Sequence, residues 1–280
     1  MNKLTTLFTS SLLGAALVAN AATLEIRGTK GVEQLKGARL VAGERVASIV
    51  IPDDVAYHQP MRYQAIPVAH LLRQAGIQPD DEVQFIAADG FAATLSAAPL
   101  LAQDEKGARA WLAIEGKQHW PKLPNQTESA GPFYLVWTQP EAGKIVPEQW
   151  PYQIVKISVQ APLVKRWPMI VPKDAGERVQ HGFKMFTTHC FACHTLNLAG
   201  DARLGPDLNV PMNPVEYFRD DILAKYIRNP QSIRTWPTAK MPTFDRAILN
   251  DGELADLIAY LGHMANHKVT SPIVRPPAGQ

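Results

Sequence analysis

Five consecutive residues, Cys190-Phe191-Ala192-Cys193-His194, form the most specific chemical pattern in the chain. They read C-x-x-C-H, the attachment pattern for c-type haem. Two thiols at this spacing reach the two vinyl groups along one haem edge. The histidine that follows turns its imidazole onto the iron, for which a proximal histidine is a standard ligand. Cys190 and Cys193 are the only cysteines among 280 residues. A structural zinc knuckle would need two further ligands at a matching spacing, and there is no second cysteine pair. A redox disulfide of the thioredoxin kind would need a β-α-β setting and no histidine. Haem attachment is the reading that uses all three residues, with coincidence as the bland alternative.

The elements that must position this motif lie on both sides of it. Upstream, Val179, Phe183 and Phe186 recur at four and three and lead into Cys190, so one apolar helical face runs into the motif. Downstream, Asn213 is a helix cap and Pro214 a first helical residue. Val215, Phe218, Ile222 and Tyr226 line one face of that second helix, and Asn229-Pro230 ends it. Asn250 with Glu253 has the form of a capping box, and Leu254, Leu257, Ile258 and Leu261 give a last helix its apolar stripe.

This second half resembles the class I, monohaem cytochromes c. The matches run in order: Gly182-Phe183, the C-x-x-C-H motif, Leu204-Gly205-Pro206-Asp207-Leu208, Tyr226-Ile227-Arg228-Asn229-Pro230, Lys240-Met241-Pro242, and the helix from Glu253 to Leu261. The resemblance implies an all-α cytochrome c domain in which the first and last helices cross, Gly182 and Phe183 meeting Tyr260 or Leu261. It implies that the Pro206 carbonyl holds the ring N–H of His194. It also implies a single covalent haem c on Cys190 and Cys193, with His194 and Met241 as axial ligands of the iron. Met212 is the rival to Met241, and His189, His263 or His267 would serve a bis-histidine haem, though each suits a surface position. Trp236 is either a donor to a haem propionate or a half-buried aromatic near the crevice. With both axial positions filled, small molecules cannot reach the iron without displacing Met241, which favours electron transfer over oxygen or peroxide chemistry.

From Thr23 onward the first half alternates strand and helix signals. Leu24 and Ile26 alternate with charges, Arg45 to Ile51 is β-branched and apolar, and Tyr63 to Pro67 leads into a helix with Val68, Leu71, Leu72 and Ala75 on one face, stopped by Gly76. Val83–Ala87 and Phe91–Leu95 flank Asp89-Gly90 as a hairpin. Trp111–Ile114 and Phe133–Trp137 are apolar runs, and Tyr152–Val159 alternates and is expected to close the sheet. His58, His70 and His119 are scattered, with His70 assigned to packing, and Asp53-Asp54 is expected to be a solvated turn.

Three stretches here resemble the molybdopterin-binding domain of sulfite-oxidase-type oxidoreductases: Tyr63–Pro67 with Leu71-Leu72 and Ala75-Gly76-Ile77, then Val83–Phe91, then Gly131–Trp137. The resemblance implies a related mixed α/β fold. That family binds molybdenum through a cysteine thiolate, and both cysteines here are committed to haem. The domain is therefore read as a degenerate relative, a scaffold that docks a redox partner or positions the haem, and molybdopterin is not expected. The alternative is a haem-containing oxidoreductase whose first domain binds a molybdopterin-type cofactor through another ligand and oxidises a small substrate.

Residues 1–21 carry one lysine, an uncharged apolar run and Ala19-Asn20-Ala21, a secretory signal peptide with its cleavage site. A bacterial periplasm is the expected location, since c-type haem is joined outside the cytoplasm. The order is then a signal peptide (1–21), a mixed α/β domain (22–160), a proline-restricted linker (161–174), a cytochrome c domain (175–267) and a tail (268–280). The apolar residues of the linker suggest that it packs on a surface. Apolar content of 46% and charged content of 19% describe a globular chain. A net charge of +2 leaves no electrostatic footprint for nucleic acid or membrane, and no segment of the mature chain is long enough to span a bilayer. An electron carrier is favoured over an enzyme.

Overall fold

The computed structural model describes residues 22–269, apart from 44, 117–118 and 236–238. The expected signal peptide, most of the expected tail and Trp236 lie outside the described residues. Two regions follow one another, a β-rich one and a helical one.

In the first region, nine strands among the described residues form two sheets where the sequence suggested one. The first sheet has the order β2-β1-β9-β5-β6, from β1 (Thr23–Gly28), β2 (Gly31–Lys36), β5 (Glu82–Ala87), β6 (Ala92–Ser96) and β9 (Ile154–Gln160). The second has the order β3-β4-β7-β8, from β3 (Ala47–Ile51), β4 (Met61–Pro67), β7 (Arg109–Ile114) and β8 (Phe133–Thr138). β9 does not close a sheet. It is the middle strand, parallel to β1 and antiparallel to β5. Ile154 and Ile157 on it are fully buried. Met61–Pro67 is a strand in its own right, alternating Met61, Tyr63 and Ala65 inward with Arg62 and Gln64 outward. β2 escaped sequence reading because all its residues but Leu35 are exposed on a sheet edge.

Three short helices cover this region: α1 (Gly37–Val41), α2 (Val68–Gln74) and α3 (Ala97–Leu101). Val68, Ala69, Leu71 and Leu72 of α2 are buried, and Gly76 ends the turn at φ +82°, a conformation that glycine adopts freely. One core fills the space between the elements, from Leu24 and Phe85 in the first sheet to Leu112, Phe133 and Trp137 in the second. Each such fully buried side chain contributes about 1.5–3 kcal/mol.

The linker is ordered. It forms α4 (Leu163–Arg166) and a 3-10 turn at Pro168–Ile170. Ile170 is fully buried in the core of the second region, and Leu163, Trp167 and Met169 pack against that core.

The second region is helical. Its long helices are α5 (Glu177–His189) and α9 (Asp251–Ala265), with α6 (Pro214–Tyr217), α7 (Asp220–Arg228) and α8 (Pro230–Ile233) between them. The expected second helix is broken into α6 and α7. Phe218 is extended, at φ −85° and ψ 142°, and Arg219 is extended as the cap of a fresh helix. Both expected caps are present. Asn213 and Glu216 form a capping box on α6, and Asn250 and Glu253 form another on α9.

Candidate haem site

Helices α5 and α9 cross where Gly182 lets them touch. A Cβ there would lie 2.0 Å from the Asp256 carbonyl oxygen and 2.7 Å from Tyr260 Cβ. Around the crossing, Phe183 and Phe186 pack on Tyr260 with ring centroids 5.6 and 5.3 Å apart. The Tyr260 hydroxyl donates to the Ile170 carbonyl at 2.6 Å, tying the linker to the crossing. The crossing fixes the end of α5, and Cys190 follows as its C-terminal cap.

The C-x-x-C-H motif is a tight turn closed by backbone bonds from Cys193 N–H and His194 N–H to the Cys190 carbonyl, at 3.0 and 2.8 Å. Cys190 and Cys193 are free thiols, half-buried. Burial pushes both thiols up, Cys193 to about 12, and the next cause for each is the negative charge of Glu148. His194 Nδ1 lies 2.8 Å from the Pro206 carbonyl oxygen. A carbonyl only accepts, so Nδ1 carries the proton and Nε2 keeps its lone pair for a metal. Burial lowers the His194 pKa, opposed by that hydrogen bond, and so favours the neutral, ligating imidazole. Gly205 is required beside it, because a Cβ would lie 2.3 Å from the ring.

The loop after the motif is held by side-chain contacts that span the sequence. The Asp207 carboxylate accepts from the N–H groups of Leu198, Asn209 and Val210. Three buried asparagines form a ladder: Asn213 Nδ2 donates to Asn209 Oδ1, and Asn209 Nδ2 to Asn197 Oδ1. Each also donates to a main-chain carbonyl, Leu261 for Asn213, Met264 for Asn209, and Met169 and His267 for Asn197. The loop is thereby stitched to α9 and the linker.

Met241 lies in an irregular segment between α8 and α9 and packs against the helical core. Arg228 anchors that segment downstream, donating to the carbonyls of Phe244, Asp245 and Leu249. Its rival Met212 is 51% exposed. His263 and His267 stack on each other at the end of α9, 4.3 Å between ring centroids. His189 corrects its surface assignment: it is buried, with Nδ1 3.2 Å from Glu148 Oε1 of the first region.

An open apolar pocket of about 600 Å³ is lined by Phe218, Tyr226, Ile233 and Arg234 of the α6–α8 segment. Phe218 and Tyr226 stack 5.1 Å apart, and Phe218 packs on the core that also receives Cys190 and Met241. Two free thiols and an imidazole oriented through its far nitrogen suit a covalently held porphyrin.

The cytochrome c family model matches residues 179–265. Those residues form a C-terminal cytochrome c domain. A cytochrome c domain implies covalently bound haem c, a role in haem-based electron transfer, and a redox partner.

In the first region, Asp54 corrects its assignment as a solvated residue. It is fully buried, accepting from the N–H groups of Ala56 and Tyr57 and from the hydroxyls of Tyr63 and Tyr134. Burial raises its pKa against those hydrogen bonds. Asp53 beside it is exposed. His119 Nδ1 lies 3.7 Å from Glu115 Oε1, and His70 contacts Arg45. No cluster of three or more histidine, cysteine or acidic groups fit to hold a metal ion occurs among the described residues.

The two regions meet on the motif itself. The turn between β5 and β6 reaches it: Ala92 N–H donates to the Ala192 carbonyl, and Arg203 N–H donates to the Gly90 carbonyl, both at 2.9 Å. Lys240, next to Met241, pairs with Asp89 at 3.2 Å. Asp201 accepts from Gln84 and pairs with Arg166 of the linker. The half-exposed Lys240 pair is worth at most ~1 kcal/mol, so the backbone bonds and the buried Glu148–His189 contact dominate the join. No helix among the described residues is long and apolar enough to cross a membrane.

Proposed function

We propose that the protein is a periplasmic c-type cytochrome that passes single electrons through one haem attached at Cys190 and Cys193, with His194 and Met241 as axial ligands. Bound haem supplies a one-electron iron couple. The chain's own residues do the rest. Pro206 fixes the tautomer of His194, and the carbonyl bonds of Arg228 hold the Met241 segment in place. The observation that carries the reading is the His194–Pro206 bond, which leaves Nε2 as the free ligand atom within a C-x-x-C-H turn. The apolar, singly charged stretch at residues 1–21 supports export.

The first region is proposed as a scaffold related to the molybdopterin domain of sulfite-oxidase-type enzymes, given over to docking a redox partner. The order of its three resembling stretches supports the relation, and the commitment of both cysteines to haem supports the loss of metal chemistry. Purified protein is expected to contain iron and no molybdenum. Stoichiometric molybdenum would move the assignment to the oxidoreductase alternative.

The test of axial ligation is spectroscopic. The reduced protein should give a low-spin c-type spectrum that carbon monoxide leaves unchanged at neutral pH. Met241→Ala should become high-spin and bind carbon monoxide. Rapid adduct formation by the unaltered protein would reject Met241 as ligand.

A further inference from the structure

Glu148 belongs to the first region, in the 3-10 turn Pro147–Gln149, yet its side chain reaches the second. Its Oε1 lies 3.2 Å from Nδ1 of His189, the residue before Cys190. The two side chains are only 11% and 4% exposed. Its other oxygen, Oε2, is buried and has no hydrogen-bond partner among the described residues. The Phe244 ring meets His189 edge-on at 5.9 Å. Two other charged pairs at the seam, Lys240 with Asp89 and Arg166 with Asp201, are more exposed and cancel their own charges.

We propose that Glu148 is a potential-setting residue: a carboxylate lent by the first region to the back of the haem-attachment turn, where it favours oxidised iron and lowers the reduction potential. The inference rests on the haem reading above. Reduction adds an electron, and a fixed negative charge nearby opposes it. The opposition is strong where water is scarce and counter-ions are excluded. Burial and neighbouring charge are recognised means by which a protein tunes a haem potential. The field of Glu148 reaches the attachment points, being the second cause, after burial, that pushes both thiols up. A carboxylate used only to latch two regions together would gain from pairing both oxygens, and Oε2 is left unpaired against the usual cost of doing so.

The experiment is a spectroelectrochemical titration of the full-length haem protein, at about pH 8.5 so that imidazoles of ordinary acidity are uncharged. Glu148→Gln keeps the shape and the bond to His189 and removes the charge. It should raise the equilibrium constant for reduction about tenfold, or about 59 mV for a one-electron couple, and high salt should not abolish the shift. Glu148→Asp keeps the charge and should stay near the parent. A change under about twofold in Glu148→Gln, or an equal shift in Glu148→Asp, would overturn the proposal and leave Glu148 as a packing contact. A parent protein without covalent haem would instead overturn the cytochrome reading on which the proposal stands.

Discussion

Individual carboxylates show how little of their role can be read from their neighbours in sequence. Asp53 and Asp54 are adjacent, and one is solvated while the other is fully buried among tyrosines. The alternation that buries Tyr63 also presents its hydroxyl to Asp54 at 2.8 Å, a contact with no local signature. Burial raises the carboxyl above its ordinary 3.8. The folded protein therefore holds this proton at a pH where the unfolded chain has released it. The resulting stability is full below the unfolded value and is lost as pH rises through the folded one. Asp54→Asn cannot titrate. The stability gap between parent and variant should thus shift in the parent's favour as pH falls from about 7 to about 4, read from urea midpoints. A gap that is constant over that range would show that Asp54 titrates alike in both states. Cys190, Cys193 and His194 were legible because their chemistry demands a fixed local spacing. Glu148, His189 and the asparagine ladder were not, because each acts on a partner distant in sequence.

At the scale of elements, local signals worked where the chain satisfied itself locally. Both asparagine caps, the apolar faces of α5 and α9 and the stop at Gly76 are nearest-neighbour chemistry. The break between α6 and α7 was missed, because Val215, Phe218, Ile222 and Tyr226 keep a helical spacing across it. Two helical glycines turn this contrast into a measurement. A Cβ at Gly182 would lie 2.0 Å from the Asp256 carbonyl oxygen, whereas one at Gly262 in α9 would meet nothing within 4 Å among the described residues. Alanine improves helix propensity by up to about 1 kcal/mol at either site, but overpacking at a crossing costs about 1–3 kcal/mol. Gly182→Ala should then lose about 1–2 kcal/mol, and Gly262→Ala should gain about 0.5–1 kcal/mol, both from denaturant unfolding monitored in the helical region. Equal signs would mean that the α5–α9 contact does not depend on close backbone approach.

The organisation of the whole molecule follows from where the two regions touch. The β5–β6 turn was expected from Asp89-Gly90, but its purpose was not, since a hairpin signal says nothing about what the tip meets. The tip seats on the haem-attachment turn, through Ala92 to Ala192 and Arg203 to Gly90, with Lys240 beside Met241 held by Asp89. The first region thus bears on both segments that carry expected iron ligands. Gly90 makes the fit possible twice over. Its φ of +95° disfavours other residues, and a Cβ would lie 2.8 Å from Arg203 Cβ. Overpacking of this kind costs about 1–3 kcal/mol, and here the clash with Arg203 is relieved by withdrawing the tip. Gly90→Ala should therefore leave the cores of both regions folded while loosening the seam. Hydrogen exchange at the amides of Ala92 and Arg203 should quicken by about 5- to 100-fold, matching that energy at about 1.4 kcal/mol per factor of ten. Amides in the middle of α5 and β8 should keep their parent rates. Uniform acceleration would mean that Gly90 supports the first region's own fold, and unchanged rates at the seam would mean that the two regions do not hold each other there.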